Sequence, residues 1–147
     1  MSGVVSYEAT RARDLDHLVE LRIEAMRDSL QRLGRFDPSR ARERFANGFE
    51  PNWTRHVLLD GQRVGFVVVK PHPEGLLLDH LYLRPNAQRR GVGGRVLSDV
   101  LADADARKLT VLVGALREST ANAFYMRHGF QRVSEGDWDV YYRREPR

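Results

Sequence analysis

The chain has 147 residues, 24 Lys or Arg against 20 Asp or Glu, a formal net charge of +4 and no cysteine. That length suits one domain around a single core. The lack of cysteine excludes a disulfide framework, a thiol nucleophile and a cysteine-ligated zinc site. There is no run of eighteen apolar residues, so no membrane span is expected. The opening MSGVVSYEATRARD lacks the apolar stretch of a secretory signal, and the expected location is the cytoplasm. The positive charge is nearly all arginine, with only Lys70 and Lys108 as lysines, and it alternates with acids, as in ARERF at 41–45. A nucleic-acid binder would show a basic stripe with interleaved aromatics, so nucleic acid is not expected as a partner. The arginine excess instead suits solubility and an anionic ligand.

In chain order, residues 4–10 form a plausible first strand. Asp14 can cap a long helix over 15–33, with Leu15, Leu18, Leu21, Ala25 and Leu30 as apolar positions and Gly34 as its stop. Asp37-Pro38 opens a second short helix that carries Arg40, Arg44 and Phe45, because proline is favoured at the first helical position. Residues 53–59 and 63–70 flank Asp60-Gly61, a hairpin signal. The sequence PHPEG at 71–75 turns the chain into an apolar strand, LLLDHLYL, at 76–83. Then come a helix over 93–107, a strand over 109–114, and a helix capped by Ser119 or Thr120. Strands at 130–133 and 138–143, joined at Glu135-Gly136, close the chain. No repeat, low-complexity tract or linker is visible. The order β-α-α-β-β-β-α-β-α-β-β implies an α+β domain, with a mixed, mostly antiparallel sheet of six to seven strands and about four helices on both faces.

The most informative stretch is LRPNAQRRGVGGRVL at 83–97. A strand ends at Arg84-Pro85, a polar turn carries Gln88, Arg89 and Arg90, and Gly91, Val92, Gly93 and Gly94 lead into helical apolar spacing at Val96, Leu97, Val100 and Leu101. The first N–H groups of a helix lack internal partners and carry the positive end of its dipole, which suits a phosphate. Glycine lets that backbone approach the anion closely. A Walker loop would end in Gly-Lys-Ser/Thr, whereas Gly93-Gly94 is followed by Arg95-Val96. A dinucleotide fingerprint would need a third glycine and a place in the first βαβ unit.

The frame Gln88-Arg89-Arg90-Gly91-Val92-Gly93 after Leu83-Arg84-Pro85 resembles the cofactor signature of the GNAT superfamily of N-acyltransferases. A second segment, Asn122-Ala123-Phe124-Tyr125-Met126-Arg127-His128-Gly129-Phe130, resembles that family's Asn-x-x-Ala/Phe-x-Tyr-x-x-x-Gly-Phe. The resemblance covers about 76–133. It implies a GNAT-like sheet whose parallel central strands, 76–83 and 109–114, splay to admit the pantetheine arm of acetyl-CoA. It also implies that the backbone of Leu81, Tyr82 and Leu83 pairs with pantetheine and polarises the thioester carbonyl. The turn from Gln88 to Gly94 would hold the pyrophosphate, with Asn122 near pantetheine and the Tyr125 hydroxyl facing the sulfur.

Acyl transfer to an amine needs a proton acceptor, a donor to the carbonyl oxygen and an acid for the thiolate. Tyr125 is the candidate acid, while Phe124 and Phe130 read as core aromatics. Asp79 and His80 interrupt an apolar strand and alternate onto opposite faces. The resemblance favours Asp79 as base or acceptor ligand, His80 has the better intrinsic pKa, and water remains an alternative. Ser29 and Ser119 lack a nucleophile-elbow pattern, and His17, His56, His72, His80 and His128 lack metal-ligand spacing, so no metal is expected. Arg22, Met26, Phe36, Phe45, Trp53, Trp138 and Tyr141 are candidates to line the acceptor's path. Glu20, Glu24 and Asp28 repeat every four residues on one helix face, more as a solvated face than as an amine trap. The implied activity is acetyl-CoA-dependent N-acetylation of an amine, on a small molecule or a peptide, by a monomer or homodimer. The alternative is a non-catalytic acyl-CoA-binding regulatory module.

Overall fold

The computed structural model describes residues 3–32 and 37–147. In order, the elements are β1 Val5–Ala9, α1 Leu15–Arg32, α2 Pro38–Gly48, β2 Thr54–Leu59, β3 Gln62–His72, β4 Gly75–Leu83, α3 Val92–Ala106, β5 Thr110–Leu116, α4 Ala121–Arg127, β6 Gln131–Glu135 and β7 Asp139–Arg144. The strands form one sheet in the order β1-β2-β3-β4-β5-β7-β6. β4 and β5 are parallel, while β1–β2, β2–β3, β5–β7 and β6–β7 are antiparallel. The α+β expectation, with a parallel pair at the centre of a mixed sheet, is borne out. The expected stop at Gly34 lies outside the described residues.

The chain forms two compact units, one of Met1–Val68 with His80–Leu97, the other of Val69–Asp79 with Ser98–Arg147. β3, β4 and α3 each run through both. In the first unit the core gathers Leu18, Val19 and Leu21 of α1, Phe45 of α2, and Phe66 and Val68 of β3. The three-residue spacing of Leu18 and Leu21 puts them on one helix face, and the two-residue spacing of Phe66 and Val68 puts them on one sheet face. Each such side chain contributes about 1.5–3 kcal/mol by burial. An exposed pair such as Arg42–Asp16 or Arg63–Glu8 contributes at most about 1 kcal/mol. The apolar core therefore sets this unit's stability. α2 starts at Pro38 as expected, and Asp37 caps it, accepting the Arg40 N–H at 3.1 Å.

Three local expectations are corrected. Asp14 does not cap α1: a 3-10 turn, Ala12–Asp14, precedes that helix, and Asp14 reaches back to the Arg11 N–H at 2.8 Å. Neither Ser119 nor Thr120 caps α4 through its side chain; instead the Asn122 amide donates to the Ser119 carbonyl at 3.0 Å. The turn expected at 71–75 is shorter, and β3 continues through Pro71 to His72. The β2 ladder ends at Thr54↔Val68, so Pro71 lies past it, where its missing N–H costs no bond to β2.

In the second unit, β5 pairs with β7 from Val111↔Arg144 to Leu116↔Asp139. Arg144 is buried yet charged, and it forms a two-toothed bridge to Asp105 at 2.8 and 3.1 Å. A buried guanidinium is tolerable only with such a partner. The Arg144 hydrogen bond, helped by the Arg147 N–H, holds the Asp105 carboxyl below its usual range.

The first unit also encloses a polar cluster. His56 of β2 is fully buried and its Nε2 lies 3.2 Å from the Asp14 carboxylate. The His17 ring stands 5.9 Å from it. Burial, then Arg84, His56 and Arg63, push the His17 pKa below its ordinary 6.5, with Asp14 opposing. The unfolded chain therefore takes up the proton first as pH falls. This group's contribution to stability is complete above about pH 6.5 and declines below it. The urea midpoint should fall on acidification below about pH 6.5, and His17→Gln should flatten that decline.

Candidate active site

β4 lies between β3 and β5 but is paired with β5 over its first residues only. Gly75 to Leu78 pair with Thr110 to Val113 of β5, and this ladder ends at Leu78↔Val113. At the far end of β4, in the first unit, His80 and Tyr82 share one face by alternation. Their rings are 5.5 Å apart, His80 lies 5.2 Å from Phe45, and Tyr82 lies 5.7 Å from Phe66. The Arg22 guanidinium stands over Tyr82, 5.8 Å from the ring centroid.

The chain leaves β4 through a 3-10 turn, Pro85–Ala87. The Gln88 side-chain amide turns back and donates to the Leu83 carbonyl at 3.0 Å. Arg89 and Gly91 then take positive φ, 62° and 81°. Glycine adopts this geometry without penalty, but for arginine it is uncommon. The Gly91 carbonyl accepts the Arg95 N–H at 3.1 Å, closing the first turn of α3. The N–H groups of Val92, Gly93 and Gly94 precede that bond and have no carbonyl one turn back in the helix. Buried Val92 pins the turn to the core, while Arg89 and Arg90 stay exposed. Clustered free N–H groups, no side chain at two of the three positions, and two exposed guanidiniums form a donor set suited to a diphosphate.

The second unit holds Asn122 and Tyr125 on α4. The Asn122 amide donates to the Leu116 carbonyl at 2.9 Å, at the end of β5, and its oxygen accepts the Tyr142 hydroxyl at 2.7 Å. Tyr125 is 7% exposed. It packs edge-on against Phe130 at 5.5 Å and near Tyr142 at 6.3 Å. Phe130 is buried, whereas Phe124 is partly exposed and lies 4.8 Å from the His128 ring. Asp79, at the unit's edge, forms an ion pair with Lys70 at 3.0 Å.

Of the acceptor-path candidates, Met26 and Phe45 are buried, and Trp53, Trp138 and Tyr141 are exposed. Phe36 and the side chains of Asp28, Ser29 and Leu30 lie outside the described residues. Glu24 is paired with Arg84 at 3.4 Å. Among the described residues no group of three His, Cys, Asp or Glu side chains is placed to hold a metal. Neither Lys70 nor Tyr142 was a site candidate in the sequence. Strand alternation in VYYRR was the one hint that Tyr142 points inward.

A family model described as an acetyltransferase (GNAT) domain matches residues 52–132. The chain belongs to this family. A protein of Mycobacterium tuberculosis called "Probable N-acetyltransferase Rv2775" is 34% identical over 73 residues, 48% of this chain and 41% of that protein. The match thus spans about two fifths of the relative. Among solved structures, the PaiA N-acetyltransferase of Thermoplasma acidophilum in complex with coenzyme A aligns over 99% of both chains, with a TM-score of 0.76 and 17% identity. The ribosomal-protein-S18-alanine N-acetyltransferase of Escherichia coli aligns over 97% of this chain and 94% of its own, with a TM-score of 0.67 and 16% identity. At such identities the likeness is one of fold. No helix among the described residues is long and apolar enough to cross a membrane.

The end of β4 depends on a close backbone approach. The β2–β3 register shifts beside Val57↔Gly65. A Cβ on Gly65 would stand 2.2 Å from the Tyr82 carbonyl oxygen and 2.7 Å from Leu83 Cδ2. The contact with the Tyr82 backbone oxygen cannot be relieved by moving a side chain. Gly65→Ala should cost about 1–3 kcal/mol, as overpacking does, read as a lower urea midpoint.

Proposed function

We propose that the protein is an N-acetyltransferase that moves an acetyl group from acetyl-CoA to a primary amine by direct attack in a ternary complex. The observation that carries this reading is the start of α3, with its free N–H groups, its glycines and the exposed Arg89 and Arg90, in a chain of the GNAT family. When bound, acetyl-CoA supplies an activated acyl thioester. Gln88 to Gly94 hold its pyrophosphate through backbone donors and guanidinium charge. The Gln88–Leu83 hydrogen bond fixes the turn relative to the strand end, where the main chain of Leu81, Tyr82 and Leu83 meets pantetheine and the thioester carbonyl. Asn122 keeps the end of β5 and Tyr142 in place beside α4, and Tyr125 donates its hydroxyl proton to the departing thiolate.

The amine must lose a proton. With a pKa of roughly 10.4, its neutral form lies about 4–5 kcal/mol above the ammonium at pH 7, so a positioned base is worth having. Sequence resemblance pointed first to Asp79. The Lys70 ion pair already occupies that carboxylate. His80 occupies the face shared with Tyr82 and Phe45, and we assign the proton to it. Asp79 becomes a positioning residue for the strand.

Calorimetry with coenzyme A and thiol-release assays with acetyl-CoA test the two halves of this reading. Gly93→Val should weaken coenzyme A binding at least about tenfold in a folded protein, since a β-branched side chain blocks the approach of the anion. Tyr125→Phe should keep that affinity and lower kcat about tenfold or more. Unchanged affinity in the first variant removes the pyrophosphate assignment. Tight coenzyme A binding by the wild type without thiol release across an amine library would favour a binding module instead.

His80→Gln should flatten the acidic limb of the kcat/KM profile against pH, whereas Asp79→Asn should leave the limb in place and change KM or stability. The reverse pattern returns the role to Asp79. No change in either variant leaves the proton to water.

A further inference from the structure

Arg22 sits on the wrong side of its helix for an arginine. Its neighbours one turn away, at i±3 and i±4, are Leu18, Val19, Ala25 and Met26, and Leu18, Val19 and Met26 are buried. This is the apolar stripe of α1, and it carries no carboxylate to pair with a cation. The Arg22 Nε is buried and, among the described residues, makes no hydrogen bond. Its guanidinium is held over the Tyr82 ring, 5.8 Å from the centroid. Other arginines of the chain stand differently: Arg84 has Glu24, Arg63 has Glu8, and buried Arg144 has Asp105. A guanidinium kept off water on one edge and unpaired is a standing cost, unless an anion completes it.

The surroundings define that anion's carrier. Tyr82 and Phe49 are partly buried against the core, and Phe45 links Phe49 at 5.9 Å to His80 at 5.2 Å. The rim beside Arg22 is thus aromatic, with His80 as its titratable member. The terminal amino groups of one planar guanidinium match a carboxylate in fork geometry.

We propose that Arg22 reads a carboxylate on the acceptor, so that the acceptor is an amine bearing both an acid group and an apolar or aromatic body, as in an apolar amino acid. Stacking on Tyr82 keeps the fork pre-aimed, which lowers the ordering cost of binding. The inference rests on the N-acetyltransferase reading for the chemistry performed, but its test reads binding and stands apart from turnover.

The full chain, saturated with coenzyme A, is titrated calorimetrically with phenylalanine, phenylalaninamide and phenethylamine. The wild type should bind the amino acid about tenfold or more tightly than the other two probes, as expected for a charge-assisted fork. Arg22→Gln should bring all three to the same affinity. Arg22→Lys, which keeps the charge and loses the fork, should leave a smaller gap. Coenzyme A affinity of both variants should match the wild type, and the melting temperature should not fall. Equal or absent binding of the three probes by the wild type overturns the proposal, as does a gap that survives Arg22→Gln. A loss of coenzyme A affinity in Arg22→Gln overturns it too, because the guanidinium would then serve the cofactor's phosphates. Absence of thiol release with a persisting carboxylate gap would instead sink the transferase reading and leave the Arg22 assignment intact.

Discussion

A helix that begins one short turn after β4 sets the main constraint on this protein. At the start of α3 the N–H groups of Val92, Gly93 and Gly94 cannot be satisfied inside the helix, so they need water or a ligand. The surroundings hold them in place. Buried Val92 anchors the turn from below, the Gln88 amide ties it to the Leu83 carbonyl, and positive φ at Arg89 and Gly91 bends the chain tightly into the helix. Relaxing any of these would let the turn drift, and an anion site built from backbone dipoles depends on orientation as much as on charge.

The charge distribution follows the same division between groups satisfied within the chain and groups left available. Glu8, Glu24, Glu74 and Asp105 each hold an arginine. Arg89 and Arg90 are exposed beside the α3 start, and Arg22 rests on an aromatic ring. The net charge of +4 is therefore a poor guide to partners. What matters is where each cation stands, since a surface pair contributes little and is screened by salt, whereas a part-buried cation interacts strongly with whatever anion reaches it.

β4 joins these features. Its first residues are held in a parallel ladder with β5, and its last residues turn an aromatic face, His80 and Tyr82, toward Phe45 and Phe66 in the first unit. Such an approach requires that β3 carry glycine at position 65, because the Tyr82 carbonyl occupies the space of a Cβ. Asn122 plays the corresponding part in the second unit, linking Leu116, Ser119 and Tyr142 through one side chain.

The amino-acid sequence by itself determined the order of elements, the class of fold and the glycine-rich turn into α3. Each rests on local signals: apolar period, Asp60-Gly61, Asp37-Pro38, and glycines at a helix start. Local signals survive in one dimension because they act between residues a few positions apart. Tertiary structure alone decided which polar groups are taken and which are left. The Lys70 partner of Asp79, the Tyr142 hydroxyl on Asn122, the reach of Asp14 to both Arg11 and His56, and the seat of Arg22 on Tyr82 join residues from 3 to 60 positions apart. No periodicity encodes such meetings, since they depend on sheet register and helix rotation, and a slip of one residue in a strand would reverse every one of its faces.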